Sequence, residues 1–97
     1  MPNSIQVLIC DDHPIVQIGL RSLLNERPGM VLVGQAVDGE EAVSLANSTK
    51  PDVIVMDIRL TDGSGIEACR EIIKRHSQMK VIMLTSFAED DQGKTWN

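Results

Sequence analysis

Short apolar runs alternate along the chain with segments in which apolar residues recur at helical spacing. The runs predict strands, and the segments with helical spacing predict amphipathic helices. The predicted strands are residues 5–10, 30–36, 52–57 and 80–84, and the predicted helices run from about 14 to 26, 39 to 47 and 66 to 76. Pro14 suits the first turn of its helix, and Asp38 is a candidate cap for the second helix.

The repeated order of strand and helix predicts an α/β fold with a doubly wound parallel sheet and right-handed crossovers. The third strand has a continuous apolar interior at residues 53–56, as expected where helices cover both faces of a sheet. Ligands of such sheets lie beyond the carboxyl ends of the strands, near a topological switch point. Functional residues are therefore expected at that edge.

The charge of the chain argues against DNA and anionic membranes as partners. The 97-residue chain has a formal net charge of −5, and its basic residues are scattered, whereas DNA and anionic membranes require clustered Lys and Arg. No apolar run reaches membrane-spanning length, so we expect a cytoplasmic protein without membrane contact. In that compartment Cys10 and Cys69 are expected to be reduced, buried thiols.

Polar residues of related chemistry follow three of the predicted strands. Asp11 and Asp12 follow the first strand, Asp57 ends the third, and Thr85 follows the fourth. Carboxylates gathered at one edge repel each other unless a hard divalent cation such as Mg²⁺ neutralises them. The arrangement also suits phosphoryl transfer, because a carboxylate can attack phosphorus and become an acyl phosphate. A hydroxyl such as that of Thr85 could then bond the phosphoryl oxygen.

Each of these residues has a simpler interpretation when it is taken alone. A single aspartate at a strand end more often caps the next helix, and Asp62 resembles a turn former. His13 is interpreted as a solvated loop histidine, because one histidine without partners is poor evidence for a metal site. The combination is informative because three separate strands would have to end in this way by chance.

Two other motifs point to different functions. Residues 63–68 fit the pattern GxGxx[GA] of dinucleotide-binding loops, but they follow the third strand after a gap, so a glycine-rich turn entering a helix explains them better. A phosphatase of the haloacid dehalogenase type would need a second acid two residues after Asp57. This chain has Arg59 there, so turnover of an external phosphoester is not expected.

Three segments together resemble the receiver domains of bacterial two-component response regulators. They are residues 9–14, 55–65 and 83–86, and the resemblance extends from about Ile5 to Asp91. Residues 19–24 and 65–70 are similar in character to the subfamily with a LuxR-type helix-turn-helix output domain. The resemblance implies a flavodoxin-like fold and a signalling module that phosphorylates itself, not an enzyme with external turnover.

The resemblance also implies a role for each residue of the site. Asp57 would be the phosphoacceptor and a metal ligand, Asp12 would ligate Mg²⁺ or Mn²⁺ directly, and Asp11 would hold the ion mainly through water. The backbone carbonyl of Arg59 would complete the protein ligands. Thr85 would be the switch hydroxyl, and the phosphodonor would be a phosphohistidine on a sensor histidine kinase.

The chain departs from the family pattern toward its end. The family's fifth strand, with an essential lysine, and its fifth helix have no match, because Lys94 lies nine residues after Thr85 with no strand before it. Residues 1–92 are therefore interpreted as a partial receiver domain and residues 93–97 as a tail outside the family. We expect an exposed sheet edge that pairs copies into a dimer or swapped oligomer, and slow, poorly coupled phosphorylation. DNA binding would require an output domain absent from these residues. The first alternative is a receiver that only docks on a kinase or is deficient in phosphorylation, and the second is an aspartyl-phosphate phosphatase.

Overall fold

Four strands and three helices alternate through residues 4–60 and 63–84, which are the residues that the structure, a computed structural model, describes. In chain order they are β1 (Ile5–Cys10), α1 (Pro14–Asn25), β2 (Met30–Ala36), α2 (Gly39–Thr49), β3 (Val53–Asp57), α3 (Gly65–Arg75) and β4 (Lys80–Leu84). The order confirms the predicted α/β fold. The interpretation of residues 93–97 as a tail falls outside the described residues and stays a prediction.

The described strands form a parallel sheet in the order β2-β1-β3-β4. Cys10 of β1 lies opposite Ala36 of β2 on one side and opposite Met56 of β3 on the other. The chain therefore moves from β1 toward one edge and later returns to the other side of β1. This reversal places the topological switch point between β1 and β3, and the carboxyl ends of these two strands open onto the same edge.

Most of the buried apolar residues lie between the sheet and the helices α2 and α3. The sheet contributes alternate residues of its two central strands, and the helices contribute mainly small side chains, as expected from the pleat of a strand and the close approach of two helices. The members of this core are Leu8, Cys10, Ala36, Ala42, Ala46, Ile54, Met56, Leu60, Ala68 and Ile72.

Helix α1 buries much less of its surface than the other two helices. None of its residues is buried, and Ile15, Ile18 and Leu23 are exposed. Between α1 and the sheet lies an apolar cavity of about 210 Å³, lined in part by Ile9 and Val55. Within the described residues, no helix has the length and apolar character needed to cross a lipid bilayer.

The start of α2 follows the predicted capping chemistry. The side chain of Asp38 accepts the backbone N–H of Glu41 at 2.8 Å, which satisfies one of the unpaired donors of the first helical turn. The carboxylate of Glu41 accepts the backbone N–H of Val37 at 2.9 Å in return. These two bonds fix the chain direction just after β2, at the edge of the sheet that carries the strand-end acids.

Lys50 ends α2 in the left-handed conformation, with a φ of 48°, and this makes it a site for stabilisation. A side chain with a Cβ adopts that conformation at a cost, whereas glycine does so freely. We therefore expect Lys50→Gly to raise the free energy of unfolding by about 0.5–1 kcal/mol, measured by urea denaturation.

The matched control is Lys50→Ala, which removes the ammonium group and keeps the Cβ atom. This variant should show no gain in stability. An equal gain in both variants would contradict the explanation, because it would assign the effect to loss of the amine, whose Nζ lies 3.3 Å from the carbonyl of Asn47.

Candidate functional site

The acidic residues predicted at the strand ends converge in the structure. Asp11 directly follows β1 and Asp57 ends β3, and each of them is only 3% exposed. Asp12 and His13 complete the group, which we call the acidic cluster. One ligand atom from each of these four residues lies within 4.8 Å of the other three. The switch point of the sheet thus brings together the three carboxylates that the sequence pattern placed at one edge.

Backbone hydrogen bonds orient the two buried carboxylates. Oδ1 of Asp11 accepts the N–H of His13 at 2.7 Å, and Oδ1 of Asp57 accepts the N–H of Arg59 at 2.8 Å. In both cases a short acidic side chain bonds the backbone two residues further on, which is the geometry of an Asx turn. Because Oδ1 of Asp57 is held in this way, its second oxygen, Oδ2, is the one that faces the cluster.

His13 belongs to the acidic cluster, which the sequence did not predict, although its side chain is 46% exposed, in agreement with the predicted solvated position. Its Nδ1 atom lies 2.8 Å from Asp11 Oδ1, 3.0 Å from Asp12 Oδ1 and 3.6 Å from Asp57 Oδ2. The hydrogen bond to Asp11, followed by the negative charges around the ring, raises the pKa of His13 above its ordinary value. The available signal was its position directly after two acids, where a helix start turns the ring back toward them.

Burial is the main cause of the raised pKa of Asp57. The charges of Asp11 and Asp12 act in the same direction, whereas the N–H of Arg59 and the charge of His13 lower the pKa. An ionised Asp57 is therefore held in an environment that disfavours its charge. A cation placed in the cluster would relieve this cost.

The donor set fits a hard divalent cation. Three carboxylates face one imidazole in the acidic cluster, so a net negative charge remains even when His13 is protonated. Mg²⁺ prefers oxygen ligands in octahedral geometry and commonly keeps some sites for water or phosphate oxygens. Asp11, Asp12 and Asp57 would supply such oxygens from two neighbouring strand ends.

Other predicted site residues are located only in part or not at all. The bond from the N–H of Arg59 to Asp57 places the Arg59 backbone beside the site, and a ligand role for its carbonyl stays a prediction. Thr85, Asp62 and Lys94 lie outside the described residues. The described part of β4 ends at Leu84, which lies opposite Asp57 in the sheet.

The start of α3 packs directly against the strand that carries Asp57. A Cβ atom on Gly65 would lie 2.8 Å from the backbone oxygen of Asp57. The adjacent Ser64 accepts the N–H of Gly39 on its Oγ at 2.8 Å, which joins the starts of α2 and α3. These contacts support the interpretation of the glycine-rich segment as a tight turn entering a helix, in preference to a dinucleotide-binding loop.

The two cysteines differ in burial. Cys10 is buried as predicted, whereas Cys69 is only half-buried and follows the buried Ala68 on α3. The Sγ atom of Cys10 lies 3.4 Å from the carbonyl oxygen of Asp38, and burial together with nearby carboxylates raises its pKa to about 12. The thiolate is the reactive form, so Cys10 stays in its unreactive thiol form near neutral pH.

We therefore expect a maleimide to modify Cys69 and to leave Cys10 unmodified in the folded chain. Intact-protein mass after labelling checks this, and Cys69→Ser provides a chain in which Cys10 is the remaining thiol. That variant should take up label in concentrated urea and remain unlabelled in native buffer. Rapid labelling in native buffer would contradict the burial assigned to Cys10.

Comparison with known proteins decides the family. Residues 7–96 match the sequence family described as the response regulator receiver domain. The chain belongs to the response-regulator receiver family. Two relatives are the response regulator proteins VraR of Staphylococcus epidermidis and Staphylococcus aureus, each 44% identical over 89 residues that cover 92% of this chain and 43% of the relative. This receiver domain therefore spans less than half the length of the curated relatives it matches.

Solved structures support the same assignment. A LuxR-family response regulator from Aurantimonas sp. superposes with a TM-score of 0.79 at 39% identity, covering 84% of this chain and 59% of that one. The response regulator domain of Thermotoga maritima CheB gives a TM-score of 0.77 at 39% identity, covering 93% and 66%. The isolated REC domain of RcsB from Salmonella enterica, solved in the presence of the phosphomimetic BeF3-, gives 0.77 at 28% identity, covering 86% and 62%. The flavodoxin-like receiver fold is thus confirmed.

Proposed function

We propose that this receiver domain accepts a phosphoryl group on Asp57, with Mg²⁺ or Mn²⁺ held by the acidic cluster. The observation that carries the proposal is the convergence of three carboxylates and His13 at the switch point of the sheet, with their ligand atoms within 4.8 Å of one another. Membership of the receiver family supports the same reading. Asp11, Asp12, Asp57 and the carbonyl of Arg59 are the proposed ligands.

The phosphoryl donor is proposed to be a phosphohistidine on a sensor histidine kinase. An oxygen of Asp57 attacks the phosphorus, the bond between phosphorus and the kinase imidazole breaks, and the electron pair of that bond stays with the imidazole, which takes up a proton. The product on this chain is an aspartyl phosphate, a mixed anhydride. A divalent cation held by these residues would neutralise the charge on the phosphoryl oxygens.

The geometry favours one oxygen of Asp57 as the nucleophile. Oδ1 is already a hydrogen-bond acceptor for the N–H of Arg59, which holds the carboxylate in place. Oδ2 lies on the side of His13 and the other acids, where the phosphoryl group and the cation would meet. The Arg59 amide therefore serves to orient the carboxylate for attack.

The wider system is proposed from family membership. The chain acts in the cytoplasm as a self-phosphorylating signalling module without turnover of an external substrate, and it controls DNA binding through an output region that these residues do not include. Thr85 is the proposed switch hydroxyl. The expectation of slow phosphorylation rests on residues beyond the described range and stays a prediction.

Pairing of two copies along the sheet edge remains part of the proposal. Among the described residues, β4 pairs with β3 on one side, and Ile82 and Met83 of β4 are exposed. An exposed strand with apolar side chains is a surface on which a second chain can add a strand. Sedimentation at several concentrations tests this, and a monomer at all of them would refute it.

The direct test of the metal site is a Mg²⁺ titration by calorimetry, repeated with Mn²⁺. We expect Asp12→Asn and Asp57→Asn to weaken binding by more than about tenfold, since each removes a proposed charged ligand. Asp52→Asn is the matched control, because Asp52 is exposed at the amino end of β3, whereas the acidic cluster lies at the carboxyl ends of the strands. Equal binding by all four proteins, or no binding by the folded parent, would refute the site.

A further inference from the structure

We propose that Gln17 is a positioning residue for the loop that carries the metal ligands. This loop, residues 11–13, joins β1 to α1 and is called here the acidic loop. Gln17 lies in the first turns of α1, outside the acidic cluster. Its side-chain hydrogen bonds go to backbone carbonyl oxygens and not to carboxylate oxygens. The predicted effect of Gln17 on metal binding rests on the proposed function. Its predicted effect on the order of the acidic loop rests on geometry alone.

The side-chain amide of Gln17 binds two backbone carbonyls from different strands. Its Nε2 atom donates to the carbonyl oxygen of Asp11 at 2.5 Å and to the carbonyl oxygen of Ala36 at 3.1 Å. The carbonyl of Ala36 also accepts the N–H of Asp11 at 3.0 Å. Gln17 therefore ties the beginning of the acidic loop to the carboxyl end of β2.

The backbone of Gln17 holds the other end of the same loop. Its N–H donates to the carbonyl oxygen of His13 at 3.1 Å, which is the first hydrogen bond of α1. One residue thus binds the carbonyls of Asp11 and His13, the first and last residues of the acidic loop. Between these two anchors lies Asp12, whose carboxylate depends on the loop backbone for its direction.

The chemistry of the two carbonyls explains why an amide suits this position. Both partners are acceptors, so the side chain must supply two N–H donors from one atom, which the NH₂ group of glutamine does. A carboxylate in the same place would present acceptors to acceptors, and a thioether would offer no donor. The carbonyls of the buried residues Asp11 and Ala36 lose part of their hydrogen bonding without these donors, and the loop then gains alternative arrangements.

The test uses Gln17→Met and Gln17→Glu in the full chain, with two readouts. The first readout is the Mg²⁺ dissociation constant from calorimetry, which we expect to rise about tenfold, the lower end of effects seen for residues that orient ligands. The second is amide hydrogen exchange at Asp11 and His13 in metal-free buffer, which we expect to quicken. Glutamate adds a negative charge that alone would strengthen cation binding, so weaker binding in that variant reports lost positioning.

The control for stability is Asn47→Ala. Oδ1 of Asn47 accepts a 2.8 Å hydrogen bond from Nε2 of His76 near the amino ends of the strands, so its loss costs stability without touching the acidic loop. This variant should bind Mg²⁺ like the parent at a temperature where all the proteins are folded. It separates a positioning role from general destabilisation.

The outcomes distinguish this proposal from the proposed function. If the parent binds Mg²⁺ and both Gln17 variants bind it equally well, Gln17 does not position the ligands and the inference is wrong. If Asn47→Ala weakens binding as much as Gln17→Met, the effect is general destabilisation and the inference is also wrong. If the folded parent does not bind Mg²⁺, the proposed metal site is wrong. If amide exchange at Asp11 and His13 is then also unchanged in the Gln17 variants, the proposal that Gln17 holds the acidic loop is wrong as well.

Discussion

An Asp57→Asn variant is expected to be more stable than the parent in metal-free buffer at pH 7, while losing the ability to form a phosphoryl adduct. The carboxylate of Asp57 is buried beside two other acids, so neutralising it removes both a desolvation cost and a repulsion. Asparagine keeps an oxygen that can accept the N–H of Arg59. We therefore expect the free energy of unfolding to rise when the carboxylate is neutralised in this way.

The pH dependence gives this expectation a definite sign. Burial raises the pKa of Asp57 above its ordinary value of 3.8, so the folded chain binds the proton more tightly than the unfolded chain does. The destabilising charge is therefore fully present above the raised pKa, and it disappears as the pH falls through that value to below 3.8. The advantage of Asp57→Asn should be present at pH 7 and vanish in acid.

Urea denaturation at a series of pH values measures this difference. Asp52→Asn serves as the control, because Asp52 is exposed and asparagine keeps an oxygen that can accept the N–H of Gln6, which the Asp52 carboxylate accepts at 2.8 Å, so stability should change little at any pH. A variant at position 57 that is less stable than the parent at pH 7 would show that the ionised carboxylate is well compensated. The explanation that the ionised Asp57 carboxylate destabilises the fold in the absence of a cation would then be wrong.

Gly65→Ala is expected to damage both the fold and the site. The added Cβ atom would lie 2.8 Å from the carbonyl oxygen of Asp57 and 3.3 Å from the Cα of Ile58, and both are backbone atoms that have no rotamer to change. The start of α3 or the end of β3 must therefore shift. We expect a loss of about 1–3 kcal/mol in the free energy of unfolding, together with weaker Mg²⁺ binding as Asp57 is displaced.

Gly19→Ala is the matched control for this substitution. Gly19 lies within α1, and nothing lies within 4 Å of the place where its Cβ would be. The same change of one methyl group should stabilise the chain there by about 0.5–1 kcal/mol, because alanine favours the helix. Equal effects at the two positions would show that the close approach of Gly65 to Asp57 has no influence on stability.

The architecture and the three acids of the site could be predicted from sequence because both depend on short-range patterns. Apolar runs such as residues 53–56 predict a buried strand, and acids that directly follow such runs must lie at the carboxyl edge of a parallel sheet. The sheet order then places Asp11 beside Asp57, and the observed pairing of β1 with β3 supplies that contact. Helix caps such as Asp38 are equally local.

The supporting contacts could not be predicted because they depend on the relative placement of distant segments. Nothing in the residues around Gln17 indicates that its amide reaches Ala36 on β2, nineteen positions along the chain. The contact of His13 with Asp57 could not be predicted because these residues become neighbours only when β1 and β3 are paired. The burial of Asp57, which controls its pKa, likewise requires the packed structure.

The most direct test of the central claim is the intact mass of the chain after incubation with Mg²⁺ and a small-molecule phosphodonor, with Asp57→Asn treated in parallel. We predict one added phosphoryl group on the parent, and none on the variant or on the parent without Mg²⁺. Peptide mapping should place the group on Asp57. An adduct that persists in the folded variant, or an adduct on the parent that maps to another residue, would contradict the assignment of Asp57 as the phosphoacceptor.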